Sequence, residues 1–91
     1  MMQLVIELPD LLSIKEKRRI VKSLKDRVRL KFHVSIAEVD LQDSLSFTQI
    51  GTALVSNSKD HGEKVMNKIL TFVEDNVPGR VDDVAILTEK Y

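Results

Sequence analysis

Apolar residues recur on two different periods along this chain, and the switches between them mark out six elements. Leu4, Ile6 and Leu8 alternate with Gln3, Val5 and Glu7, the period of two expected of a strand. Pro9 cannot donate to a ladder, and together with Asp10 it punctuates the end of that strand. Ile14, Val21, Leu24 and Val28 then recur at helical spacing. Ser13 stands just ahead of them with Glu16 three residues on, the spacing of a capping box, in which each side chain accepts from the other's free backbone N–H. The pattern predicts a helix from Ser13 to about Leu30.

Alternation returns with Phe32, Val34 and Ile36 against His33 and Ser35, a second strand. It slips at Ala37 and Val39, which predicts either a bulge or two covered faces. Residues 40–46 read as a polar loop. Residues 47–57 read as a third strand, with Ile50, Thr52 and Leu54 on one face and Gly51, Ala53 and Val55 on the other. Asn57 or Ser58 caps a second helix, with Asp60 and Glu63 near its start, where the dipole favours acids. Val65, Met66, Ile69, Phe72 and Val73 form its apolar stripe, and residues 76–79, including Pro78, end it. Residues 81–88 form the last strand, with Val84 and Ile86 on one face and Ala85 and Leu87 on the other.

The order β-α-β-β-α-β is that of two split βαβ units, which predicts an α+β, ferredoxin-like sandwich. Its antiparallel sheet is expected in the strand order 4-1-3-2 with both helices on one face. Residues 1–91 form a single domain on this reading, long enough for one core without staples. The sheet's other face is less polar than solvent alone would favour, because Val5 and one full set of third-strand residues must lie on it. That predicts a protein-covered face, most simply in a homodimer.

Charge changes the picture more than composition does. The chain has 14 basic and 14 acidic residues and is formally neutral. Residues 13–31 nevertheless hold nine bases against two acids, a net of +7, so the remainder carries −7. Lys15, Arg18, Lys22, Lys25 and Arg29 are spaced three, four, three and four, which places them on one helix face, with Arg19 and Glu16 flanking it. Like charges at i, i+4 each cost about 0.2–0.5 kcal/mol. Bases near a helix N-terminus also oppose the dipole. Stability alone does not select such a row, whereas an anionic partner converts its repulsion into binding free energy.

The row spans roughly 21 Å at the helical rise, a fair match to one groove of a duplex backbone. The only aromatic residues are Phe32, Phe47, Phe72 and Tyr91, too few for a platform of stacked bases. Backbone and shape readout of structured RNA is therefore the expected mode. The opposing reading is that the acids elsewhere neutralise the row from within or from a second subunit.

The chain lacks cysteine, so disulfides and thiolate metal sites are not available to it. Glu38, Asp40 and Asp43 could offer oxygens to a hard cation, but their spacing matches no calcium or magnesium loop, and a hydrated turn is expected. His33 and His61 are isolated, Ser56 and Ser58 have no positioned base, and the three glycines form no phosphate loop. No catalytic, metal or cofactor site is expected. No apolar run reaches membrane-spanning length, and the start at Met1-Met2-Gln3 shows no basic leader, so a cytoplasmic protein without a membrane partner or small-molecule substrate is expected.

The segment from Ser13-Ile14-Lys15-Glu16-Lys17-Arg18-Arg19 through Leu24, then Ser35-Ile36-Ala37-Glu38-Val39-Asp40, Gln42-Asp43, and Gly51 with Val55-Ser56-Asn57, resembles the YlxP-like family of small bacterial proteins, catalogued as a domain of unknown function. The resemblance covers essentially the whole chain. It departs from the family pattern after Asp40, where Leu41 and Leu45 replace a histidine and a tryptophan. It implies a ferredoxin-like fold in a bacterial cytoplasm. Because the family's genes often lie among those for translation initiation and ribosome assembly, it also implies a structured RNA partner. It implies no catalytic activity.

The sequence thus predicts a non-enzymatic RNA- or ribosome-associated protein that contacts phosphates through Lys15, Arg18, Arg19, Lys22, Lys25 and Arg29. The alternative is a homodimeric module whose basic helix meets an acidic protein surface.

Overall fold

The computed structural model describes residues 1–9 and 13–86, in six elements: β1 (Met2–Glu7), α1 (Ile14–Phe32), β2 (Ser35–Asp40), β3 (Phe47–Ala53), α2 (Lys59–Asn76) and β4 (Arg80–Ile86). The strands form one sheet in the order β2-β3-β1-β4, and every neighbouring pair is antiparallel. This is the βαββαβ topology of the ferredoxin-like fold, in the strand order that the sequence predicts.

Register decides which side of each strand is covered. Met2, Leu4 and Ile6 lie opposite Thr52, Ile50 and Thr48, and all six are buried. Val21, Leu24 and Val28 of α1 and Met66, Ile69 and Val73 of α2 close over this face. Each such aliphatic side chain, fully buried, contributes roughly 1.5–3 kcal/mol. The two threonines are admitted because they are satisfied: Thr52 Oγ1 donates to the Met2 carbonyl at 3.4 Å, and Thr48 Oγ1 donates to Glu38. Among the described residues, no buried side-chain nitrogen or oxygen lacks a hydrogen-bond partner.

The helix starts follow their caps. Ser13 Oγ accepts from the Glu16 amide at 3.2 Å, and Ser58 Oγ accepts from the His61 amide at 3.3 Å. The end of α1 differs from expectation. Phe32 is its last residue rather than part of a strand, and His33 caps it in the left-handed region at φ 54°. The period-two spacing of Phe32, Val34 and Ile36 imitates a strand across a helix end. Phe32 is held helical by an edge-to-face contact with Phe72 of α2, the ring centroids 5.7 Å apart. β3 is also shorter than predicted, ending at Ala53, after which Leu54 is half-buried and Val55 is exposed. Asp10 of the first turn and Leu87 and Thr88 of the last strand lie outside the described residues.

The slip in β2 is a bulge, placed between Glu38 and Asp40 where the register with β3 shifts. A Cβ on Gly51 would stand 2.9 Å from Cγ1 of Val39, so the glycine gives the displaced valine room on the sheet's outer face. That outer face mixes half-buried Val5 and Phe47 and exposed Ala37, Val39, Ala53 and Ala85 with a polar pair, Gln49 Nε2 donating to Gln3 Oε1 at 3.1 Å.

Candidate nucleic-acid interface

The nine bases on or beside the α1 surface separate into three groups with different surroundings. The first contains Lys17 alone. Its spacing to Val21, Leu24 and Val28 is four, three and four, so it belongs to the core stripe of the helix, and it is 1% exposed. A buried ammonium needs full pairing, and this one has it. Its Nζ lies 3.2 Å from Glu38 Oε2, donates to the Gln42 carbonyl at 3.3 Å, and donates to the Leu41 carbonyl. Leu41 adopts φ 63°, the left-handed conformation that turns the chain at this point. Lys17 therefore contributes nothing to the outer charge; it holds the β2–β3 connection against the start of α1. Sequence charge alone conceals this residue, although its place in the apolar repeat would have revealed it.

The second group faces α2. Arg27 Nη2 donates to Asn76 Oδ1 at 2.8 Å, and its guanidinium carbon lies 5.5 Å from the Phe72 ring centroid. Lys31 Nζ lies 4.9 Å from the same centroid. These cation–π contacts bind the two helices together. A hollow of about 630 Å³ on this side is floored by Phe32 and Phe72 and rimmed by Lys31, Lys68 and Asp75.

What remains is the five-residue row predicted from sequence, together with Arg19 on its flank. Lys15, Arg18, Arg19, Lys22 and Arg29 are exposed, and Lys25 is half-buried at the margin where the row meets the core stripe. One acid interrupts the row. Asp26 lies 2.7 Å from Lys22 Nζ and 3.3 Å from Arg29 Nη1. The hydrogen bond from Lys22 is the main reason the Asp26 carboxyl is held below its ordinary pKa, with the charges of Lys22, Arg29 and Lys25 adding to it. Among the described residues, Lys15, Arg18, Arg19 and Lys25 form no ion pair. In the second half of the row Asp26 thus offsets part of the charge, pairing with two of three cations, and the first half is bare.

Arg29 also reaches sideways, its Nη2 donating to the Ile36 carbonyl of β2 at 3.2 Å. With Lys17 on Leu41 and Gln42, this ties α1 to both ends of β2. From Lys17 to Arg29 the helix rises about 18 Å. From Ile36 to Leu41 the strand covers about 17 Å. Helix and strand therefore run alongside each other over matched lengths. β2 is the last strand on that side of the sheet, so its far edge meets no further strand among the described residues.

The acidic group weighed as a cation site does not converge. Glu38 is turned inward onto Lys17 and Thr48, while Asp40 Oδ1 accepts from the Leu41 amide at 2.7 Å. Among the described residues, no three His, Cys, Asp or Glu side chains are placed to hold a metal ion. No helix among them is long and apolar enough to cross a membrane.

Fold and surface together define a small α+β domain of ferredoxin-like topology with one cationic helix face. The chain belongs to the family described as protein of unknown function (DUF503), whose model matches residues 1–86. It is 42% identical over 62 residues, 68% of this chain and 67% of the relative, to the uncharacterized protein YlxP of Bacillus subtilis (strain 168).

Proposed function

We propose that the protein is a non-enzymatic, cytoplasmic RNA- or ribosome-associated factor whose first helix docks on the phosphate backbone of structured RNA. The observation that carries this reading is the bare first half of the row: Lys15, Arg18 and Arg19 stand exposed at a helix N-terminus with no carboxylate paired to them among the described residues. There they oppose both one another and the helix dipole, so an anion that covers them relieves repulsion as well as adding contacts. Phosphates satisfy this because they are numerous, regularly spaced and indifferent to sequence. The scarcity of aromatic side chains favours recognition through backbone and shape. The test is the triple substitution Lys15→Glu, Arg18→Glu and Arg19→Glu, all at exposed positions. The variant is expected to fold normally and to lose binding to a structured RNA; retained affinity contradicts the reading.

A second reading draws on the sheet's outer face, which Val39, 45% exposed, shares with Val5, Phe47 and Ala53. In it the protein is a homodimer through this face, and its basic helices meet an acidic protein. Sedimentation, together with survival of a partner complex after nuclease treatment, separates the two.

A further inference from the structure

The seam between α1 and β2 combines two kinds of group that seldom lie together at a surface. One side is the basic flank of the helix, with Arg18, Lys25 and Arg29 on the side of α1 turned toward β2, as the bond from Arg29 to the Ile36 carbonyl marks. The other side is the outer edge of β2, which pairs with no further strand among the described residues and where alternate residues turn a peptide N–H and C=O outward, apart from the Ile36 carbonyl, which already accepts from Arg29. The side chains along that strand do not shield it: Ser35, Ala37, Val39 and Asp40 are exposed, and two of the four are small. Lys17 and Arg29 fix the helix to the strand near both ends, so cations and peptide edge keep a constant separation.

We infer that one strand of the RNA lies along this seam, its phosphates on the α1 flank and its 2′-hydroxyls on the free peptide edge of β2, so that the protein selects RNA over DNA. This rests on the phosphate-binding reading above and adds to it the chemical feature that is recognised. A 2′-hydroxyl both donates and accepts, and it is the group that tells RNA from DNA at a given site. An exposed strand edge offers both partners in alternation. Charge complementarity selects the occupant: a strand of protein would pair with the same edge but would leave the adjoining cations unanswered.

The experiment titrates the full chain with four versions of one hairpin sequence: RNA, DNA, RNA with 2′-O-methyl groups, and RNA with 2′-fluoro groups. The last two keep the A-form duplex while removing the hydroxyl as a donor. RNA is expected to bind about tenfold or more tightly than all three others, the loss corresponding to a few hydrogen bonds. If the 2′-O-methyl and 2′-fluoro hairpins bind as well as RNA while DNA does not, the protein reads duplex shape, and the edge contact is overturned. Equal binding of RNA and DNA also overturns it but leaves the phosphate-binding reading standing. Binding to none of the four removes that reading itself. A β2-mediated dimer whose formation excludes RNA places a second copy of the chain on the edge and overturns the proposal.

Discussion

Lys17 Nζ lies 3.2 Å from Glu38 Oε2, joining the end of the first turn of α1 to the edge strand β2 beneath the surface that carries the exposed cations. The lysine is 1% exposed and the glutamate side chain 17%, so each depends on the other for solvation. Truncating one partner strands a buried charge, which typically costs 3–5 kcal/mol, whereas replacing both with apolar groups costs far less. Lys17→Met is expected to destabilise the protein by about 3 kcal/mol. The double variant Lys17→Met with Glu38→Leu is expected to lose less than Lys17→Met alone. Urea denaturation of the three proteins measures both values.

The two glycines that sit in close contacts are not equivalent. A Cβ on Gly79 would fall 2.2 Å from the Glu7 carbonyl oxygen, whereas on Gly51 it would meet only the side chain of Val39 at 2.9 Å. Backbone cannot step aside as an exposed valine can. Gly79→Ala is therefore expected to cost about 2–3 kcal/mol and Gly51→Ala about 1 kcal/mol or less. Thermal melts that rank the two in the opposite order would contradict the packing described for the outer face.

Phe72 meets Phe32 in an edge-to-face pair and two cations from α1, so it is the main link between the helices on that side. Because the ring is only partly buried, Phe72→Ala is expected to cost roughly 2 kcal/mol, below the range for a full core aromatic. Hydrogen exchange is expected to quicken first in the last turns of α1 and α2.

How far the sequence reaches is clear from particular residues. Periodicity located all six elements, and the strand order followed from the pattern β-α-β-β-α-β, because local spacing carries which face is apolar. It failed at Phe32, where two periods overlap and a contact with Phe72, forty residues away, decides for the helix. It left open which face of β3 turns inward, since both are largely apolar; the register Leu4 to Ile50 settles that. Of the six cations proposed to contact phosphate, five were legible from spacing as a shared helix face, with Arg19 flanking it. The pairing of Asp26 with Lys22 and Arg29 depends on side-chain reach, and the partners that satisfy Lys17 (Glu38, Leu41 and Gln42) come from a distant part of the chain; local pattern encodes neither, although the apolar repeat does mark Lys17 as a core position.

Asp26 restrains the row, because its carboxylate holds both Lys22 and Arg29. Its folded-state pKa is depressed, so its contribution to stability is present above the unfolded-state value, near 4, and is lost as pH falls through the lower folded-state value. Asp26→Asn is expected to leave stability at neutral pH nearly unchanged, since the group is at the surface. The same substitution frees two cations and is expected to raise affinity for structured RNA severalfold. Weaker binding by the variant would mean that Asp26 positions Lys22 and Arg29 for the ligand rather than competing with it.

The measurement that bears most directly on the central claim is the salt dependence of affinity for a structured RNA. Each phosphate contact contributes about −0.7 to −0.9 to the slope of log affinity against log salt. Five to six contacts from the α1 row then predict a slope of about −4 to −5, reduced by about 2 or more when Lys15, Arg18 and Arg19 are replaced by glutamate. A slope near zero, or one that the substitutions leave untouched, would contradict the account, because the cations of α1 would then not be where the polyanion docks.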